Sequence, residues 1–305
     1  MSGPAVRFGI SAYDYPPEDV LEMARTAEAV GFDMFWFGEH YAVPATHSST
    51  HPATSAEEER AILAPTTRLY DPWFLLGAVA SATRRLRLGT GICIVPLNNP
   101  LMLARATITA HDFSGGRFML GTGAGWLREE YEALGVPFEE RGSRLDETIE
   151  ILKKAWRGGF FDHEGKHFRF ASLQIMPHAV NVPLICGGNA GKALRRVAST
   201  ADGWINSAMI ALPEAQRLRD EIEALRATYG TSGKRFSYFV RPPSVTPEEI
   251  DSFVRAGFED IVLWGPNLWP RDTTLSLDQK RRGLERIADS LGIRPASRAV
   301  AAGAN

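Results

Sequence analysis

Residues 32–40 read Phe-Asp-Met-Phe-Trp-Phe-Gly-Glu-His. The run from Met34 to Phe37 has the unbroken apolarity of a strand buried on both faces. It stops on two ionisable groups, Glu39 and His40. An imidazole has a reference pKa of ~6.5, so His40 can give or take a proton near neutral pH. A carboxylate beside it can orient the ring or accept a hydrogen bond from a ligand. The pair is a chemical site only if the fold gathers several strand ends in one place. Otherwise Glu39 caps a turn and His40 is a solvated loop residue.

Three further strand-like runs end in glycine. LGTGICIVPLNNP carries Gly89 and Gly91. Glycine inside a strand marks a bulge or a close backbone approach. SGGRFMLGTGAGW carries Gly121, Gly123 and Gly125, with Thr122 and Ala124 between them. This spacing misses the dinucleotide fingerprint, because the third glycine falls on Trp126. It is read as a loop under a flat ring, with Trp126 closing the edge. PLICGGNAGKALRRVA carries Ile185 and Cys186, then Gly187, Gly188 and Asn189, into a helix. Free N–H groups and the helix dipole there favour a phosphate. It is not a Walker loop, since the first glycine of that pattern falls on Cys186. Lys192 is a candidate phosphate contact, while Arg195 and Arg196 are expected on the outer helix surface. Together these runs point to a flat, phosphate-bearing cofactor.

The elements that must position these residues alternate strand and helix along the chain. Strands are expected at 6–10, 34–37, 86–95, 118–120, 182–186, 203–206, 236–240 and 260–263. A helix opens at Pro17 and closes at Gly31, a proline-first, glycine-last pattern. Asp71 and Asn99 read as caps of later helices. Leu145, Ile149, Leu152 and Trp156 share one helix face. Residues 160–176 read as an inserted hairpin. The stretches 29–38 and 255–265 nearly repeat. Eight units with apolar parallel strands predict a (β/α)8 TIM barrel rather than an open sheet. Residues 1–292 form one domain on this reading, with 293–305 a flexible tail. In such a barrel the strand carboxyl ends form the active face, which gives Glu39 and His40 a chemical role. The polar segment 44–60, after strand two, is loop-like and a candidate lid.

With 305 residues, 44% of them hydrophobic and 23% charged, the composition is that of an ordinary globular protein. A formal charge of −2 gives no electrostatic case for nucleic acid or an acidic membrane surface. No run approaches the ~20 apolar residues of a membrane span. The first residues lack a signal-peptide layout, and Cys93 and Cys186 read as reduced and buried, so a cytoplasmic protein is expected.

The chain resembles the bacterial luciferase-like superfamily, and most of all its deazaflavin branch, which uses coenzyme F420. The resemblance rests on SGGRFMLGTGAGWLREEYEALGVPFEERGSRLDETIEILKKAW (114–156), on GFDMFWFGEH and on PLICGGNAGKALRRVASTADGW. It implies a small-molecule oxidoreductase, working as a homodimer, with Glu39 and His40 as its catalytic pair. It implies a non-proline cis peptide at Gly91–Ile92 against the ring. It places Gly121 through Trp126 along the cofactor, and Ile185 through Asn189 at its ribityl chain and phosphate. One departure is clear: where some deazaflavin dehydrogenases carry a glutamate after the strand-four glycines, this chain has Ala124. Glu129 and Glu130 nearby are expected to serve a helix amino end. The lead expectation is hydride transfer between F420 and an organic substrate. The alternatives are an FMN-dependent monooxygenase using oxygen, or a barrel that binds the coenzyme without catalysis. A metal-dependent hydrolase is disfavoured, because His40, His47 and His51 sit on or beside one loop rather than on several strands.

Overall fold

The computed structural model describes residues 6–295. The chain runs β1 (Arg7–Ala12), α1 (Pro17–Val30), β2 (Met34–Phe37), α2 (Ala56–Ile62), α3 (Pro72–Ala82), β3 (Arg87–Thr90), β4 (Cys93–Ile94) and α4 (Pro100–Phe113). It continues through β5 (Phe118–Gly123), α5 (Arg128–Ala133), α6 (Arg141–Ala155) and the antiparallel pair β6 (Phe160–Glu164) and β7 (Arg169–Gln174). Then come β8 (Leu184–Gly187), α7 (Gly191–Thr200), β9 (Gly203–Ile205), α8 (Leu212–Thr228) and β10 (Ser237–Val240). The last elements are α9 (Pro247–Arg255), β11 (Asp260–Trp264), α10 (Gly265–Leu268) and α11 (Leu277–Ser290). All pairings in the large sheet are parallel, and the extra β3–β5 pairing closes it into a barrel. The predicted (β/α)8 architecture, with its inserted hairpin, is therefore present.

The strands alternate between two cores. Met34 and Trp36 point inward, where Met119, Ile185, Ile205, Phe239 and Val262 join them. Phe35 and Phe37 point outward into the helix layer. This two-sided burial is why β2 reads as continuous apolar sequence. The filled interior makes the barrel a packed core rather than a pore. At its amino end Asp260 is buried and takes two 2.7 Å bonds from Arg7 and one of 3.1 Å from Arg87. A buried carboxylate needs such partners.

The third stave is irregular. Gly89 lies opposite Met119, but Cys93 lies opposite Thr122, so β3–β4 accommodates one extra residue between these pairs. Such a bulge bends the strand. Gly89 and Gly121 are required by packing between strands. A Cβ on Gly89 would sit 2.4 Å from the Trp36 ring, and one on Gly121 would sit 1.8 Å from the Thr90 carbonyl oxygen. The bulge delivers the chain to α4, whose first N–H groups, on Leu101 and Met102, donate to the Asn99 side chain. Asn99→Ala should cost ~1 kcal/mol, read as a lower urea midpoint with an unchanged slope.

Three expectations need correction. β5 extends to Gly123, so Gly121, Thr122 and Gly123 are strand rather than loop. The end of segment 44–60 is helical, within α2. The expected tail starts too early: Ile293 is buried in the core and its N–H donates to Ala288. Residues 296–305 of that tail lie outside the described residues.

Candidate active site at the barrel mouth

A cavity of about 260 Å³ opens at the carboxyl ends of the strands. Gly91 and Ile92 border it from the bulge, Gly123 through Trp126 from the end of β5, and Gly187 and Gly188 from the end of β8. Glu39 and His40 border it from the end of β2. The Gly91–Ile92 peptide is cis. The barrel thus brings together most of the residues singled out from the sequence. Gly121, Thr122, Ile185, Cys186 and Asn189 are not on the cavity wall. Ile185 is inner core and Cys186 faces the helix layer. The Thr122 hydroxyl is spent on Cys186 and the Ile185 carbonyl, at 3.3 and 3.4 Å. Asn189 accepts from the Ser207 N–H.

Glu39 and Glu130 both depart from the roles expected of them. Glu39 does not hold His40. It is 8% exposed and accepts a 2.6 Å bond from the Ile94 N–H, so it braces the bulged stave. Burial pushes its carboxyl up to about 7, which the Ile94 N–H only partly offsets. The partner of His40 is Glu130, expected only to serve a helix end. Glu130 is 2% exposed, and its Oε2 lies 3.0 Å from His40 Nδ1. Its Oε1 accepts the Tyr41 and Ala42 N–H groups at 2.5 and 3.3 Å. An ionised carboxylate only accepts, so His40 Nδ1 carries the hydrogen and Nε2 is left for a ligand.

Trp126 meets His40, His47 and His51 edge-on, with ring centroids 5.2–6.4 Å apart. The 44–60 segment is therefore folded against the mouth. It is pinned to α5 by Glu129, which accepts from the Ser48 N–H and the Ser49 hydroxyl at 2.7 and 2.9 Å. Tyr13 and Trp264 stack beside the cavity, whereas Trp73 and Trp204 pack into the core. Arg196 is not on the outer surface. Its side chain is largely buried, pairs with Asp146 at 2.5 Å and reaches the cavity edge. Lys192 and Arg195 are exposed. Among the described residues no cluster of three or more His, Cys, Asp or Glu could hold a metal ion. No helix among them is long and apolar enough to cross a membrane.

Sequence reasoning missed Arg241, which follows β10 and lines the cavity. Its Nη2 donates to the Gly91 carbonyl at 3.0 Å. The available signal was the rule already applied to His40: a charged residue directly after an apolar strand, here in Tyr-Phe-Val-Arg-Pro.

Comparison with known proteins supplies the lineage. The family described as luciferase-like monooxygenase matches residues 4–303. An F420-dependent glucose-6-phosphate dehydrogenase from Nakamurella multipartita is 29% identical over 214 residues, covering 68% of this chain and 58% of that protein. A solved F420-dependent secondary alcohol dehydrogenase superposes with a TM-score of 0.73 at 17% identity, covering 94% of this chain and 99% of the other. The monooxygenase RslO1 from Streptomyces bottropensis superposes with a TM-score of 0.71 at 18% identity, covering 93% and 98%. At these identities the superpositions establish a shared fold. The match over nearly the whole length, on a closed barrel with this mouth, shows that the chain belongs to the luciferase-like monooxygenase family.

Proposed function

We propose that the protein is an oxidoreductase that moves a hydride between a deazaflavin of the F420 type and a small organic substrate. One observation carries the reading. Gly91, Gly123 and Gly187, from three different staves, border the same cavity as the His40–Glu130 pair. The F420-dependent relatives support the choice of coenzyme.

The residues fit such a group. Glycine backbone makes a wall without side chains, suited to a planar ring. Gly188 and the amino end of α7 offer amide N–H groups to a phosphate. Arg241 lines the cavity with a buried guanidinium whose Nε has no partner, a positive charge suited to an electron-rich ring. When bound, the deazaflavin supplies a two-electron donor or acceptor. The rest falls to the chain. His40 takes or returns the substrate proton at Nε2. Glu130 fixes the ring's tautomer and stabilises the imidazolium. Trp126, Tyr13 and Trp264 wall off water. Glu39 acts one step away, through the backbone of the bulge. On this reading the protein works as a cytoplasmic homodimer, in one domain, on a small molecule.

Equilibrium binding of F420 and of FMN to the purified protein, followed by absorbance and fluorescence, tests the proposal. F420 should bind and FMN should not displace it. Preferential binding of FMN, with oxygen consumed by the reduced complex, would reassign the protein as an FMN-dependent monooxygenase. F420 binding with no bleaching by any substrate in single turnovers would indicate a binding barrel.

A further inference from the structure

Arg241 is out of place by ordinary rules. It is 8% exposed, and a buried guanidinium is normally paired with a carboxylate. Its contacts are instead neutral. Its backbone N–H donates to the Asn206 side chain at 2.9 Å, and its Nη2 donates to the Gly91 carbonyl. Its Nε is buried without a partner. Burial with no carboxylate to offset it pulls its ionisation down to about 10, so it remains charged at neutral pH. The side chain reaches from β10 to the bulge on β3, strands that are not neighbours in the sheet. The charge therefore lies beside the bulge, where Arg241 lines the cavity.

An uncompensated buried cation costs free energy, and one that lines a cavity recovers it only from a ligand of opposite charge. The other charges at this mouth are committed elsewhere. Glu130 holds His40, Glu39 holds Ile94, and Arg196 pairs with Asp146. The unmet demand is for negative charge beside Gly91, on the bulge where the proposed ring lies.

We infer that Arg241 selects the redox state of the bound ring, binding the reduced, more negatively charged form in preference to the oxidised form. The inference rests on the deazaflavin reading above. The balance is simple. A C–H bond of the substrate breaks, and its two electrons and hydrogen arrive on the ring, which gains one negative charge. The substrate's hydroxyl proton goes to His40 Nε2, leaving a carbonyl. The positive charge at Arg241 faces the negative charge so gained, and water need not enter to solvate it.

The test is the ratio of dissociation constants of oxidised and reduced F420, measured anaerobically by fluorescence titration. The unmodified protein should favour the reduced form. Arg241→Met, similar in length but neutral, should lose at least tenfold of that preference. For a two-electron couple this is about 30 mV lower in the bound midpoint potential. Arg241→Lys keeps the charge without the planar fork and should hold the ratio near that of the unmodified protein. A folded Arg241→Met with an unchanged ratio would overturn the inference alone. So would a folded Arg241→Lys that loses the preference completely, even if the methionine variant fails to fold. Failure of the unmodified protein to bind F420 in either form removes the parent reading and this inference with it.

Discussion

Replacing His40 with alanine is expected to lower turnover by ~10²–10⁴-fold, the usual worth of a positioned general acid–base group. Coenzyme affinity should stay within a few-fold of the unmodified protein. The separation follows from geometry. His40 is anchored from outside the proposed ring bed, by Glu130 on α5, while the bed is backbone from the bulge between β3 and β4, from β5 and from β8. Removing the imidazole thus takes away the proton carrier and leaves the shelf. Pre-steady-state bleaching of the bound coenzyme, set beside its dissociation constant, makes the measurement. Turnover within a few-fold of the unmodified protein would assign the proton to another group. Loss of binding in step with turnover would make His40 a structural residue of the shelf.

The second large effect concerns stability. Glu39→Gln should stabilise the protein at pH 8 by up to about 3 kcal/mol and leave it nearly unchanged at pH 4.5. Glu39 is an acid whose folded value, about 7, lies above its ordinary 4.5. Below 4.5 the group is protonated in both states and contributes nothing. Between 4.5 and 7 the folded chain keeps a proton that the unfolded chain has released. Stability therefore falls as pH rises through this window, and the whole penalty is present above 7. Glutamine removes the ionisation and still accepts the Ile94 N–H. Urea midpoints of both proteins across this range give the answer. A difference that does not vary with pH would show that Glu39 is not held protonated.

Much of this could be read from the residues. The period of the apolar runs, the Pro17 and Gly31 boundaries and the Asn99 cap depend on local chemistry, and each stands where expected. The strand ends that meet at the mouth were legible because a parallel barrel directs every strand the same way. Side-chain partnerships were not. Glu39 precedes His40 in sequence, yet along a strand end neighbouring side chains diverge, and the histidine finds its acid 90 residues later. Glu130 looked like a helix-end acid because an acid in a first turn satisfies the dipole equally well wherever its side chain points. Gly89 reads as a bulge or close approach and Gly121 as a bed for a ring, but they answer to Trp36 and to the Thr90 carbonyl, contacts between strands that spacing cannot show.

Glu129 and Glu130 sit side by side on a helix of six residues. One grips the polar segment folded over the mouth, and the other grips the imidazole. The segment folded against the mouth and the imidazole thus share one short support. A substitution that shifts α5 is therefore expected to disturb both contacts together. Tyr13 joins the same set from across the rim, because its ring meets His40 edge-on at 6.3 Å and its hydroxyl donates to the Ile62 carbonyl of α2 at 3.3 Å.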